Sequence, residues 1–314
     1  MTGLVAATYA PMLSDGSLNL EMISKYSDFL KYNDLKGAFI NGSTGDFVSL
    51  STMERKELIE AWAEHKSSNF YLTNQVGHTS LREAMDLAKH SDGLVDAICA
   101  LPPYYFKPKT LDSLAYYCKM IAQSAPSTPF YYYHIPILTG ADFQMLEFLK
   151  IVEKQIPNFK GIKFSKFDPK DFIACKNFSN ERFEILFGVD EMLSSSLEFG
   201  AKGWVGSTYN HLAPLYKKIV SNHHKNKVDR ANELQSLAVL FVQQLDALKG
   251  FNGAGKSFMR LFGLDMGPSR YPHHTMTNQE LINVLEKFKE KNLFSMFSEG
   301  FSENYLNKNY SKIQ

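Results

Sequence analysis

Apolar, β-branched and aromatic runs recur along this chain, beginning near positions 3, 37, 70, 96, 129, 159, 183 and 201. Several are near-continuous, such as AICAL at 97–101 and FEILF at 183–187. Strands buried on both faces belong to parallel sheets covered by helices. The stretches between them carry amphipathic spacing and helix-start signals. Ser51 precedes Glu54 by three residues and Ser80 precedes Glu83 by three, both in the spacing of a capping box. Eight strand-helix units in roughly 230 residues predict an α/β fold, a (β/α)8 TIM barrel. A doubly wound open sheet is the rival arrangement, but it usually has fewer strands and has no reason to stop at eight.

Beyond the eighth unit the pattern turns helical, most clearly over residues 228–249 and 278–291. This divides the chain into a catalytic barrel over 1–225 and a C-terminal helical extension over 226–314. No Pro- or Ser-rich linker intervenes, so the extension is expected to pack on the barrel and not to swing. Residues 302–314 are polar and rich in Asn, Lys and Tyr, which predicts a fraying end.

Composition narrows the functional classes. A chain of 314 residues with 44% hydrophobic and 13% aromatic content can build a large core. With 34 Lys plus Arg against 33 Asp plus Glu, the net charge of +1 supplies no electrostatic footprint for nucleic acid or an anionic membrane. Cys99, Cys118 and Cys175 are too scattered for a disulfide framework or a Cys-rich zinc site, and they suit a reducing compartment. No apolar run nears the roughly 20 residues that cross a bilayer, and the N-terminus lacks the basic start of a signal peptide. A soluble cytoplasmic protein is expected. No His/Asp/Glu spacing suggests a metal site, and His223 and His224 fall in a polar helix end, where solvation is expected.

A barrel of this kind carries its active site at the carboxyl ends of the strands, so the residues ending each strand hold the chemistry. The sixth run, FKGIKFS at 159–165, places Lys163 near its end. An ammonium removed from water loses hydration, and its pKa falls below the free value of about 10.4. A neutral lysine amine attacks ketones, and the resulting imine is an electron sink for a carbanion without metal or cofactor. A lysine there can also snorkel to solvent or pair with a carboxylate. The second run continues into GSTGD at 42–46, whose glycines and hydroxyls either cradle an anion or simply make a tight turn. The fourth and fifth end in LPPYY at 101–105 and YYYHIP at 131–136. A phenol can shuttle protons without adding a permanent charge, although alternation along the fifth strand commits at least one of these rings to the core. The seventh and eighth end in GVDE at 188–191 and GWVGSTYN at 203–210. Asp190 and Glu191 suit a polyhydroxyl ligand, or equally the acidic cap of the next helix.

One motif points to another class. GFNGAGKS at 250–257 has the G-x-x-x-x-G-K-[ST] spacing of a nucleotide-binding P-loop. Its context opposes that reading, because the segment before it, 234–249, has helical spacing and a P-loop follows a strand.

Taken together, Gly42 to Asp46, Tyr133 to Pro136, Gly161 to Lys163, Gly188 to Glu191 and Gly206 to Asn210 resemble the N-acetylneuraminate lyase branch of the dihydrodipicolinate synthase family. The likeness runs over essentially the whole chain. It implies a (β/α)8 barrel with a C-terminal helical extension, a homotetramer, and a covalent lysine-pyruvate imine with no bound cofactor. The implied activity is that of a class I aldolase cleaving N-acetylneuraminate, a sialic acid, to N-acetylmannosamine and pyruvate; another pyruvate-dependent aldolase is the alternative. Lys163 would form the imine and Tyr133 would move the proton at the breaking bond. Ser43 and Thr44 would hold the pyruvoyl carboxylate, and Tyr104 would join a relay with Tyr133 and Ser43, often from a neighbouring subunit. Ser165, Gly188, Asp190, Glu191 and Ser207 match the positions that bind the sugar-derived portion. Asp46 stands where the family usually has Glu, and His134 where bacterial members have Asn. Leu138 replaces the arginine of the dihydrodipicolinate synthases, removing a bidentate grip on a carboxylate and favouring a long polyol over a short acidic aldehyde.

Overall fold

Parallel strands pair in sequence order and close on themselves, which excludes the open-sheet rival. They are β1 (Gly3–Ala7), β2 (Gly37–Ile40), β3 (Tyr71–Gln75), β4 (Ala97–Ala100), β5 (Phe130–His134), β6 (Phe159–Phe164), β7 (Glu184–Phe187) and β8 (Gly203–Gly206). The computed structural model describes residues 1–307. Side chains alternate between barrel interior and outer helical layer along each strand. Tyr131 and Tyr133 therefore point inward among Val5, Phe39, Cys99, Leu186 and Val205, whereas Tyr132 joins the outer core under the helices. Register sets Tyr133 beside Lys163 and Lys163 beside Leu186, so the two polar residues reach the same end of the barrel together.

The helix Thr52–Ala63 opens on a complete capping box: Ser51 Oγ accepts from Glu54 N, and Glu54 accepts from Ser51 N. The second predicted box forms only half. Ser80 caps the helix Leu81–Ser91, but the Glu83 carboxylate accepts from Thr52 Oγ1 at 2.5 Å on the neighbouring helix instead of returning to Ser80.

The extension begins with the helix Val228–Asp246, which packs along the helix Tyr209–His224. It stops three residues before the predicted end because Lys249 and Gly250 take positive φ angles of 67° and 107°. That turn launches the helix Phe251–Phe258, and the helix Asn278–Glu290 follows later. Phe241, Phe258, Phe288 and Phe297 interlock beneath them, with ring centroids of Phe241 and Phe258 5.3 Å apart and of Phe258 and Phe297 5.4 Å apart. Arg270 reaches back to the barrel, donating to the Ser49 and Gly16 carbonyls and pairing with Glu54. The near part of the polar stretch 302–314 is tied down. Ser302 N donates to Leu261 O at 2.8 Å and Leu306 is buried; the end of that stretch, 308–314, where fraying is expected, lies outside the described residues.

Candidate active site

At the carboxyl end of the barrel lies an open cleft of about 190 Å³, lined by Ser43, Thr44, Tyr133, Lys163, Gly188, Asp190, Glu191 and Ser207. Its hydroxyl and carboxyl lining suits a small polyhydroxyl ligand. Eight of the ten predicted site residues thus meet in one place, from five different strand ends.

Lys163 is 4% exposed, and its Nζ lies 3.9 Å from the centroid of the Phe39 ring and 4.0 Å from that of Tyr133. No salt bridge involves it among the described residues. Aromatic faces attract a cation without fixing it as a carboxylate would, so the amine stays available to the cleft. Phe39 meets the Tyr133 ring edge-on at 5.6 Å, holding both rings in place. Gly188 packs against Lys163 and Ser165, and a side chain there would strike Ser165 Oγ. Ser165 lies just past the end of β6, two residues after Lys163 and against Gly188; it is buried, its Oγ has no hydrogen-bond partner among the described residues, and Ser165 N donates to His134 O at 2.7 Å.

The GSTGD turn forms the opposite wall. It starts from Asn41, whose amide donates to Asn74 Oδ1 at 2.8 Å and to Arg55 O at 3.0 Å, and it ends at Asp46, whose φ of 51° is left-handed. Asp46 N donates to Ser43 O at 3.0 Å, and Ser49 Oγ donates to the Asp46 carboxylate at 2.5 Å. The turn therefore presents Ser43 and Thr44 to the cleft from a fixed backbone.

Asp190 and Glu191 sit on the third side, in unequal settings. Asp190 Oδ2 accepts from Thr208 N at 2.9 Å and from Thr208 Oγ1 at 2.7 Å, and Gln235 holds the Asp190 carbonyl at 3.1 Å. One carboxylate oxygen thus fastens the loop after β8, while Oδ1 has no partner within the described chain. Burial raises the Asp190 carboxyl pKa, against the lowering effect of the Thr208 hydrogen bonds. Burial also raises Glu191, and the neighbouring Asp190 charge adds to it. Asn210 completes the loop, donating to Ala7 O at 2.9 Å and Ser207 O at 2.7 Å.

Tyr104 stands apart. It lines an adjoining cavity of about 240 Å³ with Phe47, Leu101, Leu138 and His273, which shares Ser43 and Asn252 with the cleft. Its ring meets Phe47 edge-on at 6.2 Å, and burial raises its phenol pKa. Within one chain no hydrogen bond joins it to Tyr133 or Ser43 among the described residues.

Asn252 is the site residue that sequence reasoning missed. It comes from the extension, lines the cleft, and donates to Ser43 O at 2.8 Å across 209 positions of sequence. It lies inside the P-loop-like string, which is no P-loop: the string starts a helix that follows a helix, and Lys256 donates to Pro268 O at 2.7 Å. Gly253 and Gly255 are there because His274 O and Tyr9 OH press against them. Among the described residues, no three His, Cys, Asp or Glu gather as a metal site, and no helix is long and apolar enough to cross a membrane.

The Dihydrodipicolinate synthetase family model matches residues 1–291. N-acetylneuraminate lyase A of Xenopus laevis is 39% identical over 276 residues, covering 87% of this chain and 90% of that protein. N-acetylneuraminate lyase of Rattus norvegicus is 37% identical over 300 residues, 94% of each chain. Among solved structures, the Proteus mirabilis N-acetylneuraminate lyase superposes with a TM-score of 0.88 at 34% identity, covering 93% of this chain and 99% of that one.

Proposed function

The chain belongs to the Dihydrodipicolinate synthetase family, and from that premise we infer that it is a Schiff-base aldolase cleaving N-acetylneuraminate to N-acetylmannosamine and pyruvate. The observation that carries this reading is Lys163: buried, cradled by two aromatic faces, and open to a cleft walled by an anion cradle and two carboxyl groups.

The Lys163 amine adds to the C2 ketone of the open-chain sugar, and loss of water gives an iminium. Tyr133 takes the proton from the C4 hydroxyl as the C3–C4 bond breaks. The electron pair of that bond flows into the iminium, leaving an enamine and the aldehyde product. Protonation at C3 and hydrolysis then release pyruvate and restore the amine. Ser43 and Thr44 hold the carboxylate, and Glu191, Ser207 and the free Asp190 oxygen meet the hydroxylated tail. No cofactor is required, because the imine supplies the electron sink. Leu138, 62% exposed at the adjoining mouth, offers no charge to an acidic aldehyde.

The same reading makes the protein a cytoplasmic enzyme of carbohydrate metabolism that assembles as a homotetramer. Three free buried cysteines suit a reducing compartment. Tyr105, Phe106, Ile137 and Leu138 leave apolar surface exposed around the Tyr104 cavity, the kind of surface that association covers.

The test is reduction with borohydride in the presence of pyruvate, followed by peptide mapping, alongside an assay of N-acetylneuraminate cleavage. A modified Lys163 peptide and released N-acetylmannosamine are expected. An unmodified Lys163 would overturn the mechanism.

A further inference from the structure

Lys256 ends the P-loop-like string, yet it is 7% exposed and holds no phosphate cradle. Its one hydrogen bond within the described chain runs to Pro268 O. Burial pulls its pKa down to about 8, against the charge of Asp46, which raises it. The two groups face a small cavity whose walls include Thr44, Asp46, Asn252, Lys256, Ser269 and His273. Asp46 Oδ1 and Ser269 Oγ are buried there without hydrogen-bond partners, and His273 Nε2 stands 3.5 Å from the same Asp46 oxygen. Arg270, also on the cavity, is committed to Glu54. The charges facing Asp46 that no carboxylate elsewhere holds are therefore Lys256 and, when protonated, His273.

Two of these walls are shared. Thr44 and Asn252 line both this cavity and the catalytic cleft, so a single layer of residues separates Lys256 from the proposed carboxylate cradle. Asp46 is the hinge of that layer: its backbone N–H closes the turn on Ser43 O, and its φ of 51° leaves the turn dependent on side-chain anchors. Ser49 secures one carboxylate oxygen. Lys256 lines the same small polar cavity as the other oxygen, and charges in a low-dielectric interior interact beyond contact distance.

We propose that Lys256 is a positioning residue for the Ser43–Thr44 cradle, acting from the C-terminal helices through Asp46. The proposal rests on the aldolase reading. Substrate and transition state present the same carboxylate to the cradle, so loss of Lys256 weakens both alike and moves KM while kcat is held.

Steady-state cleavage of N-acetylneuraminate, with pyruvate as product inhibitor, tests this in the full-length enzyme, Lys256→Met, Asp46→Glu and the double variant. Lys256→Met raises KM and the pyruvate inhibition constant about tenfold with kcat within about twofold. Asp46→Glu extends the carboxylate into the cavity and tightens pyruvate only where Lys256 is present, a coupling that a purely structural lysine would not produce. Unchanged KM in a folded Lys256→Met enzyme, or an Asp46→Glu effect that is the same in both backgrounds, overturns the proposal. If Lys256→Met does not fold, Asp46→Glu alone decides: tighter pyruvate supports it and unchanged pyruvate rejects it. A wild-type enzyme that fails to cleave the sugar at all defeats the aldolase reading instead.

Discussion

The Lys163 amine lies 4.0 Å over the face of the Tyr133 ring, with the pair on adjacent strands in register. The tyrosine thus has two separable parts: a ring that walls the lysine and a hydroxyl that reaches the cleft. Tyr133→Phe keeps the first and removes the second. Borohydride trapping of pyruvate should persist in that variant while cleavage of N-acetylneuraminate falls by about 10²- to 10⁴-fold, the usual worth of a positioned acid-base group. Lys163→Ala should abolish both. Equal loss of trapping and cleavage in Tyr133→Phe would mean that the hydroxyl acts before the imine forms.

The loop after β8 depends on a glycine. A methyl on Gly206 would collide with both oxygens of Asp190, which cannot yield because Thr208 and Gln235 hold that residue. Gly206→Ala is expected to lower stability by about 1–3 kcal/mol through overpacking and to cut activity by displacing Ser207 and Asp190. Urea unfolding checks the first effect and steady-state kinetics the second. A variant with wild-type values for both would show that the loop has more freedom than these contacts allow.

All eight strand starts were readable within about two residues, because an apolar run buried on both faces leaves few alternatives to a covered parallel strand. Alternation along the fifth strand committed at least one tyrosine ring to the core, but which rings turn inward was legible only once the barrel closed: Tyr131 and Tyr133 face its interior and Tyr132 the outer core. Local signals were less reliable where distant groups compete: Glu83 has capping-box spacing, yet Thr52 from the preceding helix takes its carboxylate. Asn252 was illegible for the same reason, since nothing near it in sequence says that its amide ends on Ser43. The distance of Tyr104 from the cleft was allowed for, because the resemblance implies that this tyrosine often joins from a neighbouring subunit, but the cavity it lines with Phe47 and His273 was not legible.

The difference between the two capping sites is measurable. Ser51→Ala breaks a reciprocal box and should cost about 1 kcal/mol, within the usual range for a lost N-cap. Ser80→Ala removes a single, longer bond of 3.4 Å and should cost less. Glu54→Ala should exceed Ser51→Ala, since Glu54 also holds Arg270, which depresses the Glu54 carboxyl pKa to about 2. Thermal or urea unfolding of the three variants gives the order directly; a Ser80→Ala loss equal to that of Ser51→Ala would contradict it.

Acid sensitivity should reside in two buried histidines. His134 lies between Tyr132 and Phe164 with both ring nitrogens unpartnered among the described residues, and burial pulls its pKa to about 4. His211, packed against Phe241, is also drawn to about 4 by burial, with its bond to Gly255 O opposing. An unfolded histidine takes its proton near pH 6.5, so between about 6.5 and 4 the unfolded chain binds more protons than the folded one. The stability these residues contribute is therefore complete above about pH 6.5 and is lost as pH falls toward 4, on the order of 3 kcal/mol for each at most. Glu54 adds its own loss further down, as pH falls from about 4.5 toward about 2. Asp190 and Glu191, raised by burial, act with the opposite sign. His134→Asn leaves those groups in place and removes one titration, so its melting temperature should fall less steeply than that of the wild type between about pH 6.5 and 4.5. Parallel curves would exclude His134 as a source of the acid sensitivity.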